Sequence, residues 1–320
     1  MRIVFMGTPA FSLEALEKLD SLFDIIAIIS QPDRPRGRKL KLKPTPTKQY
    51  GLEHKIRVMQ PEKLDDDFRR ELETLNPDIV VVMAFGRILP AWLLDIGRYP
   101  PVNLHASLLP KYRGADPIRW PILNGDKKTG VTTMLVREGL DEGEILEQTL
   151  ININEDDDYS ALAKKSSVKG AELLVQTIGK LKDNKIVPVA QNNQEATYAP
   201  KLAKDQWIID WSKSAEEIKN LVRALSKKPG ARTSINGKDL KIYKVKLADL
   251  NDKPNVILEA TNRLVIGCGQ GSLEILELQL EGKKVMQAKD FLLGNPLMTG
   301  YNVGTDIHPD KDALSLKEHD

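Results

Sequence analysis

Pro100-Pro101-Val102-Asn103-Leu104-His105-Ala106-Ser107-Leu108-Leu109-Pro110 reads as a short strand running into a loop. Pro100 to Val102 is an apolar lead, and the polar run Lys111-Tyr112-Arg113-Gly114-Ala115 continues the loop. Side chains alternate across a strand with period two, so Asn103 and His105 share one side. In an open α/β sheet, ligands bind in the crevice beyond the carboxyl ends of the strands. The spacing therefore predicts that Asn103 and His105 point together into such a crevice.

That strand is one of a series. Ile3 to Met6, Asp24 to Ser30, Ile56 to Met59 and Asp78 to Ala84 are further strand-like runs, separated by helical patterns. One of these patterns sets Leu13, Leu16 and Leu19 on one helix face. The alternation predicts an α/β fold with a doubly wound, Rossmann-like parallel sheet. Gly7 is the only glycine in the first turn, so the Gly-x-Gly-x-x-Gly dinucleotide fingerprint is absent. This argues against a nicotinamide cofactor and for Gly7 as a tight-turn residue.

An asparagine amide donates hydrogen bonds, and an imidazole donates or accepts a proton near neutral pH. Together they can hold a carbonyl oxygen as it becomes an oxyanion. Asp141 follows the strand-like run Gly130 to Val136 and lies in Glu138-Gly139-Leu140-Asp141-Glu142-Gly143. A carboxylate close to the imidazole would fix its tautomer. Ser107 lacks the Gly-x-Ser-x-Gly elbow that exposes a nucleophilic serine. The set predicts acyl transfer to a nucleophile that the substrate itself carries.

These residues carry a resemblance. Asn103-x-His105-x-Ser107-Leu108-Leu109-Pro110, then Arg113-Gly114-Ala115 and Gly139-Leu140-Asp141-x-Gly143, resembles the formyltransferases that use 10-formyltetrahydrofolate. Met6-Gly7-Thr8-Pro9-x-Phe11, Gln31-Pro32-Asp33-Arg34-Pro35-x-Gly37-Arg38 and Ile209-Asp210-Trp211 narrow it. Over nearly the whole chain they are similar to the branch of that family acting on initiator methionyl-tRNA. The resemblance implies transfer of the formyl group to the α-amino group of that tRNA's methionine, giving formylmethionyl-tRNA for translation initiation. An α-amino group has a pKa of about 8, so a usable fraction is free nucleophile at neutral pH. Asn103 and His105 would stabilise the oxyanion, and Asp141 would support His105 and manage the amine proton. Gly86, Arg87, Ile88 and Leu89 would line the pterin slot through their backbone, with Ser107, Leu108, Leu109 and Pro110 completing the folate site. No ATP and no metal is implied. Where that branch usually has Pro-Trp-Pro-Gly, this chain has Lys227-Lys228-Pro229-Gly230, which replaces an apolar contact with two cations.

The insertion Gln31 to Lys48 holds Arg34, Arg36, Arg38, Lys39, Lys41, Lys43 and Lys48 against Asp33 alone, together with four prolines. It is expected to be an extended loop without a core of its own. Seven cations at the presumed active-site edge would attract phosphates. The resemblance implies that Arg36, Arg38, Lys39, Lys41 and Lys43 meet the tRNA. The solvated-surface reading of a basic loop is weaker here because of that location.

Residues 1–182 are expected to form the catalytic domain, 183–206 a linker, 207–304 a tRNA-binding C-terminal domain and 305–320 a polar tail. The C-terminal domain shows five short strand patterns and the Asn236-Gly237 hairpin signal, which predicts a small OB-like β-barrel. Lys219 to Lys246 carries nine Lys or Arg against Asp239 alone. The acidic run Glu155-Asp156-Asp157-Asp158 is expected to be a helix cap rather than a metal site. Four histidines and one cysteine form no ligand spacing for zinc, and a single cysteine excludes an internal disulfide. Net charge is only +2, so affinity for an anionic polymer must come from local patches. No apolar run reaches a membrane span, and the start of the chain is no signal peptide. A cytoplasmic monomer that binds initiator methionyl-tRNA and folate is the expectation. Two alternatives remain: a folate-dependent formyltransferase for a small amine such as an amino sugar, and a nucleic-acid-binding module that has lost catalysis.

Overall fold

Arg2–Gly7 (β1), Asp24–Ile29 (β2) and Ile79–Met83 (β6) are runs of β-branched and apolar residues buried along most of their length. Such runs bury both faces of a strand, the mark of a sheet covered on two sides. The computed structural model describes residues 1–36 and 41–304. It falls into two compact units. The first comprises Met1–Ile118, Lys128–Asn152 and Leu162–Pro200. The second comprises Arg119–Lys127, Ile153–Ala161 and the chain from Lys201 on.

In the first unit the remaining strands are Arg34–Arg36 (β3), Lys41–Lys43 (β4), Val58–Met59 (β5), Val102–His105 (β7), Lys128–Leu135 (β8) and Ile145–Asn152 (β9). Seven of the unit's strands, all but β3 and β4, form one sheet in the order β5-β2-β1-β6-β7-β8-β9. The pairs from β5 to β7 are parallel, and β8 and β9 are added antiparallel. Helices α1 (Leu13–Asp20), α2 (Pro46–Glu53), α3 (Asp66–Thr74) and α5 (Tyr159–Lys182) accompany them. Phe68 and Leu72 of α3 join Val4, Met6, Ala27, Ile29, Val80 and Val82 in one core. On the other face α5 comes close to β7 at Gly170, where an added Cβ would lie 2.7 Å from Leu104 Cδ2. Leu104 is thereby buried under the helix, and its neighbours Asn103 and His105 are turned to the opposite side. After β6, Pro90 leads a 3₁₀ turn, Ala91–Asp95.

The second unit holds a curled antiparallel sheet of Ala231–Ile235 (β10), Lys238–Ala248 (β11), Ile257–Glu259 (β12), Leu264–Gly267 (β13), Ser272–Leu280 (β14) and Met286–Gln287 (β15). Asn236 and Gly237 have φ of 48° and 70° and join β10 to β11 as a two-residue hairpin, as their sequence predicts. Helices α4 (Arg119–Leu123), α6 (Ala215–Leu225) and α7 (Ala288–Gly294) complete the unit. Ser214 and Glu217 form a capping box at the start of α6. Ile218, Val222 and Leu225 of α6 share a core with Trp211, Ile242, Leu264, Leu278 and Phe291. Trp211 Nε1 reaches Thr233 Oγ1 at 2.9 Å, which satisfies the indole inside that core. The acidic run does act as a cap: Asp158 Oδ1 accepts from Ala161 N at 2.8 Å at the start of α5.

Cys268 is buried to 1% exposure, and burial pushes its thiol up to about 12. The thiolate is the reactive form, so this cysteine is inert in the folded chain. A thiol reagent at about pH 8 should leave the native protein unmodified and label one thiol per chain after unfolding in denaturant. Native labelling at the rate of a free thiol would contradict the burial.

Candidate active site

β7 and the loop after it deliver the two residues singled out by their spacing. Asn103 pairs with Val82 on β6 and Met134 on β8, and His105 pairs with Thr132. Asn103 is half-buried, and its amide makes no hydrogen bond with the described residues. It is a donor left open. His105 is buried, at 6% exposure. Its Nε2 lies 2.9 Å from the carbonyl oxygen of Tyr112 and therefore carries a proton, because a carbonyl only accepts. Its Nδ1 lies 3.5 Å from Asp141 Oδ2. The structure brings Asn103, His105 and Asp141 to one place.

Asp141 reaches that place in a left-handed conformation, φ 52°, which aspartate tolerates better than most residues. Its Oδ2 accepts the backbone N–H of Gly114 at 2.8 Å. The following Gly143 lies so close to the end of β8 that an added Cβ would sit 1.7 Å from Leu135 O. Arg113 is buried to 1% exposure. Its guanidinium donates to Gln191 Oε1 at 2.8 and 3.1 Å and to Asn193 Oδ1 at 2.8 Å, and it lies 3.3 Å from Glu142 Oε1. Part of the stretch expected to be a linker thus packs into the first unit, with Val189 bridging Ile145 and Tyr198 bridging Arg113.

The expected folate residues lie on two neighbouring loops. Gly86 to Leu89 follow β6, and Ser107 to Pro110 follow β7, its parallel neighbour, so both loops leave the same edge of the sheet. Ile88 is 95% exposed, a large apolar side chain with nothing over it. Gly86 has φ 77°. Gln31 Nε2 donates to the carbonyls of Phe85 at 2.7 Å and Gly86 at 3.2 Å. Arg87 spends its guanidinium on the carbonyls of Pro61 and Glu62. In the second loop Leu108 and Pro110 are half-buried, whereas Ser107 and Leu109 are buried. Ser107 Oγ donates to Lys111 O at 2.6 Å, so this hydroxyl braces the loop. Thr132 Oγ1 donates to Ser107 O at 2.7 Å, and Gln148 Nε2 donates to Leu109 O at 2.8 Å. Sequence reading missed the roles of Gln31, Thr132, Gln148 and Gln191, because each acts across a long sequence separation, and even Gln31, which opens a quoted motif, gives no local sign of its partners.

The basic insertion is more structured than expected. β3 and β4 form an antiparallel ladder, Arg34 opposite Lys43 and Arg36 opposite Lys41. Arg38 and Lys39 lie outside the described residues, and Arg36 and Lys41 are described by backbone alone. Lys43 is exposed. Lys48 is not free for phosphate: its Nζ contacts Asp33 Oδ2 and Gln60 Oε1, both at 2.6 Å. Gln60 Nε2 completes the ring to Asp33 Oδ1 at 2.9 Å. In the second unit the nine cations of Lys219 to Lys246 also divide. Arg232 is buried against Asp239 at 3.0 Å, and Lys246 pairs with Glu274 at 3.2 Å. Lys227, Lys228, Lys238 and Lys244 are exposed and make no ion pair with the described residues. No helix among the described residues is long and apolar enough to cross a membrane.

A site with an open amide donor, a carboxylate–imidazole pair and no serine elbow suits a group-transfer enzyme that works on a carbonyl. Residues 1–178 match the family model described as formyl transferase, and residues 201–296 match that of the formyl transferase C-terminal domain. The chain is 44% identical over 305 residues to the methionyl-tRNA formyltransferase of Caldanaerobacter subterraneus subsp. tengcongensis, covering 94% of this chain and 99% of that one. It is 46% identical over 302 residues to the methionyl-tRNA formyltransferase of Trichlorobacter lovleyi, covering 93% and 96%. An N-formyltransferase from Helicobacter canadensis, solved with folinic acid and dTDP-3-aminofucose, superposes with a TM-score of 0.66 at 24% identity, over 86% of this chain and 97% of that one. The methionyl-tRNA formyltransferase from Clostridium thermocellum superposes with a TM-score of 0.53 at 18% identity, over 78% and 94%. Those two structures share its fold. The chain belongs to the formyl transferase family.

The Lys48 ammonium, followed by the Gln60 amide, holds the Asp33 carboxyl below its ordinary value. The folded value therefore lies below the unfolded one of about 3.9. The stability this adds is complete above that unfolded value and is lost as pH falls through the folded one. Asp33→Asn should lose thermal stability near neutral pH and then decline less than wild type between about pH 5 and pH 2. Thermal midpoints measured across that range check it; parallel acid limbs would show that the pair contributes nothing.

Proposed function

We propose that this chain transfers the formyl group of 10-formyltetrahydrofolate to the α-amino group of methionyl initiator tRNA, giving formylmethionyl-tRNA. The observation that carries the reading is the open Asn103 amide beside His105, whose Nδ1 lies 3.5 Å from Asp141. The residues present fit the folate co-substrate. Exposed Ile88 and half-buried Leu108 and Pro110 offer an apolar wall, and the backbone at Gly86 to Leu89 offers polar groups to orient a pterin. The co-substrate supplies an already activated one-carbon unit.

The chain's own residues do the rest. Asn103 donates its amide N–H to the formyl oxygen as negative charge grows there, and His105 adds its positive field when protonated. When the ring of His105 is protonated at both nitrogens, its Nδ1–H faces the Asp141 carboxylate, which then fixes it. Asp141 also takes the proton that the attacking amine releases, directly or through water; the bond from the formyl carbon to the folate nitrogen breaks, that nitrogen takes up a proton, and tetrahydrofolate leaves. The first unit carries this chemistry. Arg36, Arg38, Lys39, Lys41 and Lys43 of the basic insertion, and the second unit with Lys227, Lys228, Lys238 and Lys244, meet the phosphates of the tRNA. We place the protein in the cytoplasm, as a monomer and without a metal, and we retain 1–182 as catalytic domain and 207–304 as tRNA-binding domain, with the expected linker 183–206 contributing its part up to Pro200 to the catalytic unit.

With the formyl donor and methionyl-tRNA, Asn103→Ala should lower kcat about 100-fold, as for loss of one oxyanion donor. His105→Ala and Asp141→Asn should each lower it by orders of magnitude, with KM for both substrates little changed. Near-normal turnover of the Asn103 or His105 variant would sink the assignment. A sugar-nucleotide amine offered in place of methionyl-tRNA should be a poor acceptor; preference for it would move the small-amine reading ahead.

Phosphate contacts release counterions, so log affinity for tRNA should fall linearly with log salt concentration. Replacing any one of Lys227, Lys228, Lys238 or Lys244 with Gln should reduce that slope by about one where the lysine meets a phosphate. Lys246→Gln, which loses an internal ion pair, should leave the slope unchanged. Equal slopes in all five variants would remove this surface from the tRNA interface.

A further inference from the structure

We propose that Gln191 is a positioning residue for the active site, holding Asp141 at its working distance from His105; this rests on the function proposed above. Gln191 lies in a polar stretch without periodicity, yet all four of its side-chain hydrogen-bonding opportunities observed here are used on the site. Its Nε2 donates to Asp141 O at 2.8 Å and to Gly143 O at 2.7 Å. Its Oε1 accepts Arg113 Nη2 at 2.8 Å and Nε at 3.1 Å. One neutral side chain thus joins the loop that carries Asp141 to the loop that carries Gly114, the residue whose N–H binds the Asp141 carboxylate.

The backbone explains why position 191 can do this. Val189 exchanges two antiparallel hydrogen bonds with Ile145, at 2.8 and 2.9 Å. Two residues further along, that register sets Gln191 opposite Gly143. Beyond it the same segment stitches to the loop after β7. Arg113 N donates to Thr197 O at 2.8 Å, and Ala199 N donates to Arg113 O at 2.7 Å. Tyr112 N donates to Thr197 Oγ1 at 2.9 Å. The segment is a strap laid across the two loops, and Gln191 is where its side chain reaches into both. Only an amide suits the place. A carboxylate would face two carbonyl oxygens with no donor, and an ammonium would face the buried Arg113 guanidinium. Asp141 itself sits in a left-handed conformation, φ 52°, which persists only where its surroundings fix it.

Gln191→Ala should lower kcat with methionyl-tRNA on the order of 10- to 100-fold, the penalty of a misplaced reacting group, with KM for the formyl donor unchanged within about 2-fold. Because Gln191 acts through Asp141, the same substitution in an Asp141→Asn background should have almost no further effect on kcat. Backbone amide exchange should quicken at Gly114, whose acceptor is the Asp141 carboxylate, and stay unchanged across β1, β2 and β6. Gln191→Glu keeps the acceptor for Arg113 and loses both donors, so it should repeat these results and stands in if the alanine variant does not fold. Unchanged kcat, equal losses in both backgrounds, or a loss confined to KM would each overturn the proposal. If the wild-type protein does not formylate methionyl-tRNA, the proposed function fails by itself. Exchange at Gly114 then decides the clamp alone: quickened exchange there supports it, and unchanged exchange refutes it.

Discussion

The site depends on the 3.5 Å approach between a carboxylate and an imidazole that come from distant parts of the chain. His105 ends a buried strand and cannot move far. Asp141 lies in a loop, where holding a side chain still costs conformational entropy. The fold meets this with short-range constraints around Asp141. The Gly114 N–H grips its carboxylate, the side chain of Gln191 grips its carbonyl, and Gly143 lets the chain pass within contact of β8. Preorganisation of this kind matters because electrostatic help at a reacting centre is greatest when dipoles need not reorient during the reaction. A looser Asp141 would leave the same residues present and less useful.

Much of this architecture is written in local patterns. Ile3 to Met6 and Asp78 to Ala84 announce buried parallel strands because a covered sheet needs apolar side chains on both faces. Asn103 and His105 announce themselves by period two. Asn236-Gly237 marks its hairpin because both positions need positive φ. What stayed hidden acts at a distance. Gln191 meets Arg113 across 78 positions and Gly143 across 48, and nothing near it in sequence marks it. Arg113 looks like a loop cation and is instead among the most deeply buried side chains. The prolines of the basic insertion obscure its two-stranded ladder, since a ladder of three pairs leaves no periodic signature.

Charge counting fails for a related reason. The seven cations of the insertion and the nine of Lys219 to Lys246 look equivalent in sequence, but geometry divides each set. Lys48, Arg232 and Lys246 face carboxylates of their own unit, so much of their field is cancelled before it reaches solvent. Lys43, Lys227, Lys228, Lys238 and Lys244 stand exposed, and their field extends about a Debye length, roughly 8 Å at physiological salt. A net charge of +2 can therefore coexist with local patches of exposed positive charge.

The paired cation at the insertion's base has a second consequence. Lys48 contacts Gln60, Gln60 Nε2 donates to Gln31 O at 2.8 Å, and Gln31 Nε2 donates to the carbonyls of Phe85 and Gly86. A continuous run of hydrogen bonds therefore ties the stem of the basic hairpin to the loop proposed to hold the pterin. Transfer between two bound substrates is fast only when donor and acceptor are held in register, and a displacement of about 1 Å can cost on the order of 100-fold in rate. The described base of the ladder, Arg34 opposite Lys43, is in this way tied to the neighbouring loop. Lys48 spends its ammonium on this anchor, on Asp33 and Gln60. On this view the anchor residues Asp33, Lys48 and Gln60 bear on the rate of transfer as well as on stability, although none of them need touch either substrate.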